Sequence, residues 1–195
     1  MPYFDEAVLE MRQNQKEQKH TTLDTGIYVN KKLIEFKTEY LFRNQVDIML
    51  PITFIDMPSA IAAVKYPSEF RPQIIKTSLD GTINFTFNLF DIPGGEPERI
   101  NEIANQFQAV LKQVNSSVKI LEVFEEKQKE QYFKMFSYKS SGIDVQIYNL
   151  VCMTSIKNKI LQETFNCLFD EADDWKDIAK SIFLTTKEHF LYGKS

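Results

Sequence analysis

Cysteine and histidine are both scarce in this sequence, and their scarcity excludes two kinds of site. The 195 residues include two of each. Cys152 and Cys167 are too few for a disulfide scaffold, and their spacing matches no metal-binding motif. Neither His20 nor His189 neighbours a candidate nucleophile or a second metal ligand in the sequence. We therefore expect no metal site and no histidine-based active site.

Clusters of basic residues and long apolar runs are also missing. The formal net charge of −4 is spread along the chain, whereas a nucleic-acid-binding surface needs clustered Lys and Arg. No apolar run approaches the ~20 residues that span a bilayer. The amino-terminal residues, MPYFDEAVLEMRQNQ, carry acid where a signal peptide carries base. We expect a cytoplasmic protein that has no membrane span and does not bind nucleic acid.

Signatures of enzyme active sites are absent as well. The sequence contains no G-x-S-x-G, Walker loop or H-E-x-x-H motif. Gly94–Gly95 could offer backbone N–H groups to a phosphate, but the acidic Glu96 and Glu98 that follow would repel an anion. The densest acidic cluster, residues 171–174, lies where a helix begins, and acid there stabilises a helix by ~0.3–1 kcal/mol per residue. We therefore predict no catalytic and no cofactor-binding residue.

Aromatic residues, in contrast, are abundant, with sixteen Phe and eight Tyr, and they favour β-sheet. Residues 82–89 (TINFTFNL) alternate between polar and apolar side chains, which is typical of a strand with one buried face. We expect four of them to face the core: Ile83, Phe85, Phe87 and Leu89. The others would face water or a partner: Thr82, Asn84, Thr86 and Asn88.

The turn that precedes this strand leaves two registers open. Asp80–Gly81 is a strong hairpin signal. A two-residue loop would pair Lys76 with Phe85, whereas a three-residue loop with Gly81 in the left-handed conformation would pair Ile75 with Phe85. We favour the three-residue loop because it places apolar beside apolar side chains.

Helical periodicity occurs twice. From Pro97, apolar residues recur on one side over 100–114, and a second helix, with Trp175 on its buried side, is predicted from about 171 to 187. Four strands lie between these helices. Strands, a helix, more strands and a closing helix indicate an α+β fold, with a mostly antiparallel sheet and helices packed on it.

The chain divides at residue 24 in this interpretation. Residues 1–24 form a polar segment with a short amphipathic helix around Val8 and Leu9. This segment is either a loosely held tail or a helix that docks where a partner binds. Residues 25–190 form a single α+β domain.

A tight turn is predicted at Lys157–Asn158. It would place Cys152 opposite Glu163 and Cys167 opposite Tyr148. The two sulfurs would then lie more than ~10 Å apart, at ~3.4 Å per residue, whereas a disulfide needs Cα atoms within ~7 Å. Both cysteines are therefore predicted to be reduced.

The carboxyl-terminal part of the sequence resembles the closing element of a known superfamily. A meander of strands ends in an acidic turn and a Trp-led helix, FNCLFDEADDWKDIAKSIFLT. Upstream, the paired strands QIIKTSLDGTINFTFNLFD and the helix at 100–114 follow in the same order. Over residues 26–188 this pattern resembles the PsbP-like superfamily, which includes photosystem-associated extrinsic proteins, a Ran-binding nuclear import factor and bacterial chaperones of type VI secretion effectors. The resemblance implies a non-enzymatic binding fold and carries no catalytic residue over to this chain.

Two groups of residues are candidates for contacting a protein partner. The first group lies on one strand and occupies both of its faces: Tyr132, Phe133, Phe136 and Tyr138. These aromatics form a partner-binding patch if one face is uncovered, and they belong to the core if both are covered. The second group is the polar face of the alternating strand: Asn84, Thr86 and Asn88.

The sequence therefore favours a non-catalytic adaptor or chaperone-like module, with a secretion-associated pathway as one option. Two alternatives stay open. An enzyme could assemble its site from scattered carboxylates, which a polar cavity holding an Asp or Glu with a raised pKa would favour. The chain could also pair with itself through an edge strand to form a homo-oligomer. A shallow, partly apolar groove would favour the binding module.

Overall fold

The computed structural model describes residues 8, 9, 11, 17–67, 71–93, 95–142 and 144–189. Val8, Leu9 and Met11 lie in helical conformation, and the side chains of Leu9 and Met11 are exposed. The remainder of the predicted amino-terminal helix lies outside the described residues. The division of the chain at residue 24 stays a prediction.

The described residues form groups of strands that are separated by three helices. The strands are β1 (Thr21–Thr22), β2 (Gly26–Val29), β3 (Lys32–Ile34), β4 (Phe36–Leu41), β5 (Val46–Pro51), β6 (Ile55–Asp56), β7 (Ile74–Thr77), β8 (Asn84–Pro93), β9 (Lys119–Gln128), β10 (Gln131–Ser141), β11 (Gln146–Ile156), β12 (Lys159–Leu168) and β13 (Lys187–Glu188). The helices are α1 (Ser59–Lys65), α2 (Pro97–Val114) and α3 (Ala172–Phe183), and a 3₁₀ turn, Phe169–Glu171, precedes α3.

A seven-stranded antiparallel sheet with the order β6-β7-β8-β12-β11-β10-β9 forms the centre of the molecule. Strands β9 to β12 follow one another as hairpins, and each connection contains a residue with positive φ: Lys129, Asp144 and Asn158. Two three-stranded sheets, β1-β2-β3 and β13-β5-β4, complete the structure. The predicted α+β class with a mostly antiparallel sheet is confirmed.

Helix α3 covers one face of the central sheet together with β5. Its predicted buried side is confirmed by the burial of four residues: Trp175, Ile178, Ala179 and Ile182. They share one core with Phe85 and Phe165, whose ring centroids lie 5.0 Å apart. Burying one such aromatic side chain stabilises the fold by roughly 1.5–3 kcal/mol. The helix ends at Phe183, earlier than predicted, because the following residues turn so that β13 pairs with β5.

Helices α2 and α1 cover the opposite face. Ile100 and Ala104 of α2 are fully buried against Phe136 and Val151 of the sheet. The shorter α1 packs through Ala62 on β7. Both faces of the central sheet therefore carry helices. Ile83, Phe85 and Phe87 of the alternating segment are buried as predicted, whereas the polar face of β8 lies between α1 and α2, with Asn84 and Thr86 only 2% and 4% exposed.

The register of the β11–β12 hairpin is as predicted. Cys152 lies opposite Glu163, and Cys167 lies opposite Tyr148, because Lys157 and Asn158 adopt positive φ in a tight turn. Both cysteines are free and buried. Burial raises the pKa of both thiols, that of Cys167 to about 12.

The register of the β7–β8 hairpin differs from the favoured one. Gly81 is left-handed as expected, with φ +75°, but Lys76 pairs with Phe85 and Ile75 pairs with Thr86. The apolar-pairing argument fails because both faces of β7 are covered, so Ile75 is buried under α1. Lys76 is accommodated on the other face by ion pairs with Asp56 and Glu39, at 2.9 and 3.3 Å.

Candidate binding groove

A groove lies on the α2 side of the central sheet, between two helices. α1 covers β7 at Ile75, and α2 covers β10 and β11 at Phe136 and Val151. Because the strand order is β7-β8-β12-β11, β8 and β12 lie between the helices. Two adjoining cavities of about 610 and 530 Å³ occupy this gap. We call them together the polar groove; they share Tyr66, Asn149 and Asn166.

Polar side chains form the floor of the polar groove. Each of two neighbouring strands, β8 and β12, contributes an amide, a hydroxyl and a second amide at alternate positions. The antiparallel register sets like opposite like, in three cross-strand pairs: Asn84–Asn166, Thr86–Thr164 and Asn88–Gln162. The pairs recur at every second residue, or every ~6.8 Å along the strands. We call these six residues the facing rows.

A chain of hydrogen bonds fixes one end of the facing rows. The Thr77 hydroxyl donates to Asn84 Oδ1 at 2.8 Å, and Asn84 Nδ2 donates to Asn166 Oδ1 at 3.0 Å. Asn166 Nδ2 in turn donates to the Tyr66 hydroxyl at 3.3 Å. Each amide thus has a defined orientation, and the chain links the sheet to the end of α1.

The rest of the floor retains hydrogen-bonding capacity. Thr86, Thr164 and Gln162 line the larger cavity. Their side chains make no hydrogen bond with another described residue. Their polar atoms are not fully enclosed, so an occupant of the groove can reach them. A hydroxyl and an amide can each donate and accept, so an occupant of the groove would meet both kinds of group here.

Aromatic side chains form the walls. Tyr66 follows α1, Phe107 projects from α2, and Tyr138 belongs to β10. Burial raises the pKa of Tyr66, and it raises the pKa of Tyr138 to about 12. Both phenols are therefore neutral at physiological pH and able to donate a hydrogen bond.

Few charges face the groove. Among the described residues that line the larger cavity, Arg71 is the only charged one, and its Nε donates to the Tyr66 carbonyl oxygen at 2.8 Å. The smaller cavity includes Lys65 and Asp80. Lys65 Nζ donates to the Gly81 carbonyl, so the turn already engages this charge. The floor of the groove therefore offers hydrogen bonds from neutral groups.

A carboxyl with a strongly raised pKa lies elsewhere, on the α3 face. Burial raises the pKa of Glu163 to about 8, although the Thr186 hydroxyl donates to its Oε1 at 2.7 Å. Glu163 has no exposed surface and lines neither cavity of the groove. It has no access to a substrate in this structure.

The same architecture occurs in solved structures of low sequence identity. The cyanobacterial PsbP protein (CyanoP) of Synechocystis sp. PCC 6803 gives a TM-score of 0.60 at 11% identity, covering 83% of this chain and 96% of that chain. The Ran-binding protein Mog1p of Saccharomyces cerevisiae gives 0.50 at 9% identity, covering 78% and 95%. LpqN of Mycobacterium tuberculosis, involved in cell envelope biogenesis, gives 0.50 at 12% identity, covering 88% and 99%. The chain has a PsbP-like fold.

The predicted PsbP-like resemblance is thus confirmed at the level of the fold. No protein-family model matches the sequence, and no curated protein matches it either. Within the described part of this PsbP-like fold, no group of three or more His, Cys, Asp and Glu side chains could hold a metal ion. Of the helices described, none combines the length and apolarity needed to cross a membrane.

The candidate residues on β8 lie in the polar groove. Thr86 and Asn88 line the larger cavity, and Asn84 lines the smaller one. The Asn88 side chain also accepts a hydrogen bond from the Gln73 backbone N–H at 3.0 Å. Whether these residues contact a partner stays a prediction.

The aromatic candidates on β10 are separated by the two faces of the strand. Phe133 is buried in the α3-side core, and Phe136 is buried under α2. The Tyr132 hydroxyl donates to Asn101 of α2 at 2.9 Å. Only Tyr138 among the four lines the groove. A patch of all four aromatics does not exist on the surface, because both faces of β10 are covered.

Half of the facing rows was missed from the sequence. Gln162, Thr164 and Asn166 repeat on β12 the spacing of Asn84, Thr86 and Asn88. This repetition is the signal that could have identified them. This repetition is informative only when β8 is known to pair with β12, and these two strands are far apart in the sequence.

Proposed function

We propose that this protein is a non-catalytic protein-binding module that holds an extended segment of a partner protein in the polar groove. The observation that carries the proposal is the pair of facing rows, which line a groove with hydroxyl and amide groups at regular spacing. A peptide backbone presents one N–H and one C=O per residue. An extended segment repeats every two residues, at ~6.6–6.8 Å, which matches the repeat of the floor.

The polarity of the floor argues against a different occupant. A partner helix that docks in a groove usually buries an apolar face there. Here such a face would cover Thr86, Thr164 and Gln162 without satisfying them, and each unsatisfied buried group costs ~1–3 kcal/mol. An extended backbone supplies the donors and acceptors that these side chains need.

The absence of acid–base chemistry in the groove supports a binding role over an enzymatic one. A catalytic site built from carboxylates would need an Asp or Glu with a shifted pKa within reach of a substrate. Glu163 has the raised pKa but is enclosed in the core. Asp80, at the edge of the smaller cavity, has a pKa lowered by hydrogen bonds from Ser78 and Thr82.

The relatives in fold are compatible with this proposal. One of them, Mog1p, is described as a Ran-binding protein. An adaptor or chaperone-like role, a cytoplasmic location and a link to secretion remain parts of the proposal that rest on the sequence.

The decisive experiment removes two hydroxyls without changing shape. Tagged wild-type protein, the double variant Thr86→Val/Thr164→Val and the control Thr38→Val, an exposed position on β4, would be used to purify partners from the native cell. Losing two hydrogen bonds of ~1 kcal/mol each, with their partner groups left unpaired, should weaken binding at least ~10-fold. We expect a partner that is recovered with the wild type and the control and lost with the double variant. Equal recovery with all three would refute the proposal.

A further inference from the structure

Charges placed over the floor of the polar groove would be left without a counter-charge. The facing rows and the aromatic walls are neutral, and burying an unpaired charge costs far more than burying a hydrogen-bonded amide. A segment that fits the groove is therefore uncharged where it crosses the facing rows. Its side chains there are polar or small.

The charges of the smaller cavity are engaged by the β7–β8 turn. Lys65 Nζ donates to the Gly81 carbonyl. Asp80 Oδ1 accepts hydrogen bonds from the Ser78 and Thr82 hydroxyls, at 2.6 and 3.0 Å. These contacts hold the turn against α1, and the opposite charges of Lys65 and Asp80 lie close enough to interact with each other.

Arg71 differs from these two residues. Its Nε donates to the Tyr66 carbonyl, which orients the guanidinium at the rim of the larger cavity. No described Asp or Glu forms an ion pair with it. An arginine has five N–H donors in a planar fork, and its two terminal nitrogens suit a carboxylate in bidentate geometry.

We propose that the polar groove selects an extended peptide segment that is uncharged along the facing rows and carries one carboxylate, which pairs with Arg71. This inference rests on the proposed function and specifies the chemistry of the partner. The carboxylate is either an Asp or Glu side chain or the carboxyl terminus of the segment. Two sequence features follow: polar or small residues at alternate positions, and a single acid at one end.

A peptide library tests this selectivity directly. Full-length protein would be used to select from random heptapeptides displayed with free carboxyl termini. If a side chain supplies the carboxylate, we expect enrichment of uncharged polar sequences with one Asp or Glu at a fixed place. If the carboxyl terminus supplies it, we expect enrichment of uncharged polar sequences that contain no Asp or Glu. The best peptide and an analogue with that acid replaced by its amide would then be titrated against the wild type, Arg71→Gln and the control Arg43→Gln, which lies in the β4–β5 turn outside the groove.

The double-mutant cycle gives the deciding number. The acid-to-amide change should weaken binding at least ~10-fold for the wild type and for Arg43→Gln, and less than ~2-fold for Arg71→Gln, if acid and guanidinium pair. Arg71→Lys keeps the charge but lacks the fork, so its affinity for the acidic peptide should fall between wild type and Arg71→Gln. Thermal unfolding of each variant verifies that the fold is retained.

Several results would overturn the inference. The first is a selection in which no peptide is enriched. The second is enrichment of peptides with apolar residues at helical spacing. The third is a preference for the acidic peptide that the Arg71→Gln variant retains. A partner that is lost with Thr86→Val/Thr164→Val but bound equally by Arg71→Gln would refute the role of Arg71 and leave the proposed function standing. A partner retained by the double Val variant would refute the proposed function itself.

Discussion

The stability of a Glu163→Gln variant relative to the wild type should rise with pH up to about pH 8. Burial raises the pKa of this carboxyl from its ordinary 4.5 to about 8. One of its oxygens has no hydrogen-bond partner among the described residues. The folded protein therefore holds a proton that the unfolded chain has already released at pH 7.

The sign and size of the effect follow from this difference in proton binding. Below pH 4.5 both states are protonated and the carboxyl carries no penalty. Between pH 4.5 and 8 the unfolding free energy falls by about 1.4 kcal/mol per pH unit, or about 5 kcal/mol in total. Above pH 8 both states are ionised and the loss is constant. Glu163 therefore causes no loss of stability at acid pH, and its full destabilising effect is reached as the pH rises through the folded pKa.

Urea unfolding at pH 5.5 and 7.5 measures the effect, with the fluorescence of the single, buried Trp175 as the signal. Between these two pH values the stability of Glu163→Gln relative to wild type should rise by roughly 2–3 kcal/mol. The hydrogen bonding of the new amide adds an offset that does not depend on pH, so the change with pH is the test. Glu126→Gln, at an exposed position on β9, controls for the loss of any glutamate. A difference that stays constant with pH would refute the reasoning.

Four further predictions concern two glycines, the thiols and the amino terminus. Gly81→Val should lower the melting temperature by about 2 °C or more, because a β-branched residue resists a φ of +75°. Gly26→Ala should lower it more than Gly81→Ala does, since at Gly26 a Cβ would come within 2.9 Å of Leu33 Cδ1, whereas at Gly81 its nearest contact is 3.8 Å away; equal shifts would contradict this. Thiol titration of denatured, unreduced protein should find two free thiols per chain, and fewer would contradict the β11–β12 register. Deleting residues 1–16, which spares β1, should increase recovery of the partner if the predicted amino-terminal helix competes for its site; unchanged recovery would identify this segment as a tail.

The features that could be predicted from the sequence are those set by local signals. The helix at 97–114 follows from a Pro at its start and from apolar spacing, and the β11–β12 register follows from a two-residue turn at Lys157–Asn158. The β7–β8 register could not be predicted in the same way. A strand that is covered on both faces has no polar side to orient it. In addition, Lys76 forms ion pairs with two carboxylates, on β4 and β6, that are remote from it in the sequence.

The candidate groove depends on long-range pairing for the same reason. The alternation on β8 indicates which residues share a face, but the partner strand is β12, more than sixty residues later. Only that pairing brings Thr86 opposite Thr164 and turns two ordinary strands into facing rows. The position of Arg71 depends on where α1 ends, because the carbonyl that orients it belongs to Tyr66.

The stability of Thr86→Val/Thr164→Val separates a structural role of the facing rows from a functional one. If the two hydroxyls serve the fold, their removal should cost about 1 kcal/mol each and lower the melting temperature by several degrees. In the structure neither hydroxyl bonds to another described residue, and Thr86 is only 4% exposed. Valine has the same shape, favours β-strands and has no polar group to desolvate. We therefore expect a melting temperature that is unchanged or higher by up to about 4 °C, together with loss of the partner. Residues that serve function often lower the stability of the protein in this way. A melting temperature that falls by several degrees would instead show that the facing rows stabilise the fold.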